Sequence, residues 1–411
     1  MITFMITFSG ATGELTRADL ELPGDISIRE IRFALRNLVH LFTDFVQDYN
    51  SVMRFIPYTT AWYMETPFGS SEFCGERCLI VDDSMDDADM SETLKKHWSN
   101  LRELRLHCVA LTEEAYRGIS KCTDLKHLSL RDASDLGDGN LRMILQNNPN
   151  LEALELVRCG KLTDGGMTHI HRLKNLCELN LFRCHGVPKE FLCTLGSIST
   201  LTSLDIGTWN KVDTEVIENL LPLRNLRNLV VTHLPTECFE LICDNFLKLK
   251  RLHLGNCKNL GPVSGQKLAQ LRELTFIAFR NASGFTDETV VRGLRSLPLK
   301  ELRIVNCPLS DVGLSSLPRG NGDLRDLILR DCTNITNLGL EVLLRHEPLL
   351  EMLSLVDMKN VKDPLFDTLG NFCPRLHSLQ MFGCGTTAHA AEKLRERRPF
   401  IKVRHGERLP R

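Results

Sequence analysis

The chain has 411 residues, of which 43% are hydrophobic and 25% charged, and its net charge is −2 at neutral pH. So even a balance gives no global electrostatic footprint for nucleic acid or for an anionic membrane. No apolar run approaches the roughly 18 residues of a membrane span, so none is expected.

The opening Met1-Ile-Thr-Phe-Met5-Ile-Thr-Phe8 is apolar and duplicated. It has no basic segment and meets Ser9-Gly10 too soon for a signal peptide, so an alternative start at Met5 or an unstructured end is expected. From Ser27 to Val52 the residues Ile28, Ile31, Leu35, Leu38, Phe42, Phe45 and Val46 recur at three- and four-residue spacing, which predicts one or two amphipathic helices. Pro57, Pro67, Gly69, Ser70, Ser71 and Gly75 then read as a linker. Residues 1–75 therefore form an N-terminal helical region set apart from 76–411.

Cys78-Leu-Ile-Val81 reads as a capping strand and Ser91 to Trp98 as its helix, with Ser91 as N-cap, so the cap covers residues 78–98. The acidic run Asp82, Asp83, Asp86, Asp87 and Asp89 lacks the glycine and closing glutamate of a calcium loop, and it reads as a solvated loop.

From residue 101 one pattern repeats to the end, and Leu151-Glu-Ala-Leu154-Glu-Leu156-Val-Arg-Cys159-Gly-Lys-Leu162-Thr163-Asp164 shows it most clearly. Its leucines alternate as in a short strand and point into a core, while the residues between them point the other way. Leu162-Thr163-Asp164 then opens a return helix. Twelve units start at Leu101, Leu125, Leu151, Leu176, Leu201, Leu226, Leu249, Leu274, Leu299, Leu324, Leu350 and Leu376, at a mean step of 25 residues. A unit this small cannot bury its apolar face alone and needs copies of itself on either side. Helix starts are clearest at Thr163-Asp164, Thr286-Asp287, Ser310-Asp311 and Thr336-Asn337, a last helix spans 388–398, and 401–403 is a closing strand. Strands joined by helical crossovers must be parallel.

Six of the fifteen cysteines, Cys159, Cys184, Cys257, Cys307, Cys332 and Cys384, fall eight residues after a first Leu. Cys122 and Cys373 fall three residues before one. Fixed slots of this kind suit small buried side chains rather than disulfides. The odd total and the missing secretion signal indicate reduced thiols in the cytoplasm or nucleus. Trp209 takes the slot where other repeats place Cys, and its bulk calls for a widened turn.

The pattern Leu-x-x-Leu-x-Leu-x-x-Cys followed by apolar-Thr-Asp resembles the cysteine-containing leucine-rich repeats, and the array from 101 to about 405 is similar to that of the F-box leucine-rich-repeat proteins. The resemblance implies an α/β solenoid, a curved parallel sheet with helices on its convex side. It also implies a protein substrate held on the concave face and an F-box docking onto the Skp adaptor of a cullin-RING ubiquitin ligase. A degenerate box fits residues 22–62, from Leu22-Pro23-Gly24-Asp25-Ile26 through Ile31 and Leu35 to Trp62. By that resemblance Leu22, Pro23, Ile26, Ile31 and Leu35 would dock the adaptor. The Ile-Phe pair of the family's first helix is missing, and Gln47-Asp48-Tyr49-Asn50 stands where its third helix has Cys and Trp.

Catalytic motifs are missing: there is no nucleophile elbow, phosphate loop or dinucleotide fingerprint. Cys74 and Cys78 lack a second thiol pair, and His169 and His171 fall at the end of a return helix, so no metal or other cofactor is expected. What the repeat offers is a binding face made of the residues two, four, six and seven places after each first Leu. This gives Arg105, His107, Arg131, Arg158, Phe182, Arg183, Phe276, Arg280, Arg330 and Phe382 as candidates. Arg131, Arg158 and Arg183 fall in consecutive units and could form a ladder recognising an acidic or phosphorylated group. Alternatively they pair with Glu103, Asp132, Glu155, Glu178 and Asp205 and merely solvate the face. Phe276 and Phe382 fall in slots expected to face solvent, which makes them candidate anchors. The reading is a non-enzymatic protein-interaction module with no nucleic-acid or membrane partner. A scaffold without a ligase, or a receptor for a small anionic ligand, is the alternative.

Overall fold

In the computed structural model, residues 101–106, 111–207, 212–257, 260–317 and 323–406 are described with their side chains; residues 2–9, 15–22, 78–81 and 107 are described as strand backbone. The expected helices at 27–52 and 91–98, the acidic run, Pro23, Ile26, Ile31, Leu35, Trp62 and Trp209 lie outside the described residues.

At the N-terminus, β1 (Ile2–Ser9) pairs antiparallel with β2 (Leu15–Leu22), from Ile2 opposite Leu22 to Ser9 opposite Leu15. This replaces the unstructured end expected there. Ile, Thr and Phe in alternation are strong strand formers, and Leu15-Thr-Arg-Ala-Asp-Leu-Glu-Leu22 alternates in the same way. Leu22, the expected start of the helical box, is the last residue of a strand.

The chain divides into two compact units, one made of 1–180 with 184–187 and the other of 181–183 with 188–411. In the first, β3 (Cys78–Val81), β4 (Glu103–His107), β5 (His127–Arg131), β6 (Ala153–Val157) and β7 (Glu178–Asn180) pair in parallel, each with the next. The helices α1 (Glu113–Ile119), α2 (Asp138–Asn147) and α3 (Asp164–Met167) return the chain between strands. In the second unit β8 (Ser203–Asp205), β9 (Asn228–Thr232), β10 (Arg251–Gly255), β11 (Phe276–Arg280), β12 (Glu301–Val305), β13 (Asp326–Arg330), β14 (Met352–Val356), β15 (Ser378–Phe382) and β16 (Lys402–Gly406) follow the same rule. Their return helices include α4 (Lys189–Thr194), α5 (Thr214–Leu220), α6 (Thr236–Asn245), α7 (Pro262–Leu268), α8 (Asp287–Gly293), α9 (Asp311–Ser315), α10 (Asn337–His346), α11 (Pro364–Phe372) and α12 (Ala388–Arg397). This is the leucine-rich-repeat solenoid fold. The predicted last helix and closing strand are α12 and β16.

All twelve first leucines are buried, as are the leucines three and five places on in most repeats. Several return helices begin where a capping side chain satisfies a free N–H: Thr112 Oγ1 accepts from Ala115 N, Thr163 from Gly165 N, Ser310 from Val312 N and Thr336 from Leu338 N. The next residue links one repeat to the following one. Asp138 accepts from the N–H of Thr163 at 2.8 Å and from its hydroxyl, Asp287 from both groups of Ser310, and Asp311 from both groups of Thr336. The glycine three places beyond Thr163, Ser310 and Thr336 makes room for that carboxylate; at Gly166 a Cβ would stand 2.6 Å from Asp138 Oδ1.

The cysteine slots behave as predicted. Cys159, Cys184, Cys257, Cys307 and Cys332 are buried free thiols, and Cys384 is half-buried. Their thiols donate to backbone carbonyls, as Cys184 does to Leu156 O at 3.1 Å and Cys257 to Gly255 O at 3.4 Å. Burial pushes Cys257 and Cys332 up to about 11 and Cys307 up to about 12, which removes thiolate character at neutral pH.

Before each cysteine slot the backbone turns through the left-handed region. Asp132, Arg158, Arg183, His233, Asn256, Asn281, Asn306, Asp331 and Asp357 all have φ between +48° and +60°, and Gly383 has +64°. Each is the seventh residue after a first Leu. Asparagine, aspartate and glycine tolerate this conformation best, which accounts for most of the residues found there.

Candidate functional site on the open face of the strands

Because leucines occupy the alternate strand positions facing the core, the residues between them form the opposite, open face of each sheet. Parallel neighbours stand about 4.8 Å apart, so residues one repeat apart in sequence lie side by side. Whether these side chains are available or neutralised decides what the face can bind.

In the first unit, Arg131 meets Glu155 at 2.5 Å, and Ser129 donates a hydroxyl hydrogen bond to the same carboxylate at 3.0 Å. Arg158 pairs with Asp132, and Arg105 reaches Glu103 at 2.5 Å. Three of the predicted arginines are thus engaged with carboxylates of the same unit. Arg158 sits in the left-handed corner, at the rim of the face rather than on a strand. His107 is a strand residue whose side chain is outside the described set.

In the second unit, Arg183 is exposed at a left-handed corner and lies over the Phe182 ring, 5.3 Å from its centroid. Phe182, Phe276 and Phe382 are 4%, 1% and 6% exposed, which corrects the expectation that Phe276 and Phe382 face solvent. For Phe276 the cause is lateral packing, because side chains of neighbouring strands lean over the ring. Around Phe276 the guanidinium carbon of Arg251 stands 3.9 Å from the ring centroid and that of Arg303 at 5.3 Å, with the His253 ring edge-on at 5.0 Å. Glu301 receives both guanidinium arms of Arg251, at 3.1 and 3.2 Å, and lies 4.0 Å from Arg303. His253 is buried between the two arginines; burial first and their positive charge second hold its pKa well below the usual imidazole range. It therefore stays neutral. Arg280 lies half-buried between Gly255 and Val305, and Arg330 approaches Asp357 at 3.7 Å.

The sequence reading missed Arg251, His253, Glu301 and Arg303. Their signal was present: listing the second residue after each first Leu down the chain gives Arg251, Phe276, Glu301 and Asp326 in consecutive repeats. A polar ladder also went unread. Asn256 Nδ2 meets the His233 ring nitrogen Nε2 at 3.2 Å, Asn281 donates to Asn256 Oδ1 at 2.8 Å and Asn306 to Asn281 Oδ1 at 2.9 Å along the left-handed corners.

Among the described residues no group of three or more His, Cys, Asp or Glu is placed to hold a metal ion, and no helix is long and apolar enough to cross a membrane. His169 is half-buried, 3.1 Å from Gln146 Nε2, and His171 is exposed.

The chain matches no protein-family model. It is 25% identical over 280 residues to F-box/LRR-repeat protein 17 of Arabidopsis thaliana, covering 64% of this chain and 46% of that protein. A candidate RNA-binding protein of Caenorhabditis elegans is 23% identical over 237 residues, or 55% of this chain and 32% of that one. The chain thus spans less than half the length of these curated relatives. Among solved structures, Rad7 from the yeast Rad7–Elc1 complex superposes with a TM-score of 0.53 at 18% identity, over 78% of this chain and 88% of that one. One of these relatives is named as an F-box/LRR-repeat protein, and that likeness agrees with the leucine-rich-repeat fold described above.

Proposed function

We propose that this chain is a protein-recognition subunit that presents a substrate protein to a cullin-RING ubiquitin ligase, in the reducing setting of the cytoplasm or nucleus. The observation that carries this reading is the 280-residue similarity to an F-box/LRR-repeat protein, which covers 64% of the chain. Two further features support it. The open faces carry arginine side chains ordered over buried aromatic rings and a leucine core, and arginine is a residue type enriched at protein interfaces. Rad7, whose fold is similar, was solved in complex with another protein, Elc1.

In this reading the repeats hold the substrate through the open strand face, with Arg105, His107, Arg131, Arg158, Arg183, Arg280 and Arg330 as its first candidates. Leu22, Pro23, Ile26, Ile31 and Leu35 dock the Skp adaptor. Affinity purification of the full chain, probed for Skp adaptor and cullin, tests the ligase link. Wild type is expected to retain both, and Pro23→Ala combined with Ile31→Asp to lose both. If the folded wild-type chain retains neither, the ligase reading falls and the chain is a repeat scaffold with a different partner.

A further inference from the structure

The open faces of the two units differ in charge. In the first, the strand residues Arg105 and Arg131 are outnumbered by Glu103, Glu155 and Glu178. From β10 to β16 in the second, the charged strand residues on this face are Arg251, Arg280, Arg303, Arg330, Lys402 and Arg404 against Glu301 and Asp326, six positive charges to two negative. Counting Asp331 and Asp357 at the rim as well still leaves a surplus of two on a chain whose total is −2. The rest of the chain must therefore be acidic, and the surplus is local to this face.

The arginines are also ordered. Arg251 and Arg303 share the Phe276 ring, and Glu301 fixes the Arg251 fork in the bidentate geometry that carboxylates and phosphates accept. Val305, Val356 and Phe382 on neighbouring strands are nearly covered by their surroundings, which leaves a face of cationic groups over packed apolar side chains. Single-stranded RNA would need accessible rings for its bases to stack on, and Phe276 and Phe382 are buried. An extended polypeptide needs none.

We infer that the open face of β10 to β16 docks an acidic polypeptide segment, whose carboxylates or phosphates engage Arg280 and Arg330 in the positive field of the more deeply set Arg251 and Arg303. This deepens the substrate-recognition reading by naming the chemistry of its substrate.

The test uses the full chain and fluorescence anisotropy at low salt, with four labelled probes: a Glu-rich peptide, its Ser-for-Glu counterpart, a phosphoserine counterpart, and a uridine-rich single-stranded RNA. The Glu-rich or the phosphoserine peptide should bind and the neutral one should not; which of the two binds more tightly identifies the anion. Arg280→Glu with Arg330→Glu should weaken binding by about tenfold or more, the scale of a lost charged contact. The charge-matched control Arg272→Glu with Arg295→Glu, at exposed residues off this face, should change it by less than about twofold. Glu301→Gln should tighten binding, and it decides the matter if the double variant fails to fold by circular dichroism. The inference is overturned if neither acidic peptide binds, if the control loses as much affinity, or if Glu301→Gln leaves affinity unchanged. RNA binding tighter than both peptides and abolished by the same arginine changes would reassign the face to nucleic acid. Adaptor capture is scored separately. Peptide binding without adaptor removes only the ligase reading, and adaptor without peptide binding removes only this one.

Discussion

Replacing Glu347 with glutamine should stabilise the protein above neutral pH and leave it unchanged in acid. Glu347 is 2% exposed, at the end of α10, where its carboxylate accepts a hydrogen bond from Leu324 N–H at 3.2 Å. Burial pushes its pKa from 4.5 up to about 7, against a smaller lowering by that hydrogen bond. The displacement corresponds to about 3 kcal/mol between the protonation states, at about 1.4 kcal/mol per pH unit. Because the folded state holds the proton more tightly than the unfolded chain, this stability is complete below about pH 4.5 and is lost as pH rises through about 7. Glutamine has no proton to lose and keeps an oxygen for Leu324 N–H. The first unit already uses an amide in the equivalent place: Asn148 Oδ1 accepts from Leu125 N–H at 3.1 Å and its Nδ2 donates to Ile144 O at 3.0 Å. Urea denaturation followed by circular dichroism should therefore show the two proteins nearly equal below about pH 5, with the variant more stable by up to about 3 kcal/mol near pH 8. An advantage independent of pH, or none at either pH, would refute the reasoning.

Arg131→Ala should destabilise the first unit by about 3 to 5 kcal/mol, because it strands Glu155, a carboxylate only 3% exposed. Replacing Arg131 and Glu155 together by apolar residues should recover much of that loss, as a double-mutant cycle would report. Asn281→Ala should cost about 2 kcal/mol by removing two rungs of the amide ladder and the polar side chain that makes φ +50° tolerable for a residue with a Cβ, while Asn281→Gly, which has no Cβ, should cost less. Alkylation of the native protein read peptide by peptide should leave Cys159, Cys184 and Cys257 unmodified while the partly exposed Cys177 and Cys193 react; early labelling of the buried set would contradict their packing.

Much of the fold was legible because a repeat prints its packing in one dimension. The Leu period located the strands, the Thr-Asp and Ser-Asp pairs located the helix starts, and the cysteine slots were recognisable as buried thiols because their spacing was constant. The left-handed corners were written just as plainly, in the run of Asn256, Asn281, Asn306, Asp331 and Asp357 at one slot, and the reading passed over them. Phe276 went wrong for a different reason: a period states which way a side chain points but not how closely its neighbours cover it.

The amino-acid order by itself thus determined the solenoid, its register and the set of residues on the open face, since each follows from local periodicity and capping. Which of those residues neutralise one another was decided only in three dimensions. Arg251 and Glu301 are 50 residues apart yet form a bidentate pair across Phe276. Arg131 turns to Glu155 on the next strand, although Asp132 is its neighbour in sequence. Side-chain reach across adjacent strands, and the cost of burying an unpaired charge, make those choices, and neither quantity exists until the repeats are stacked.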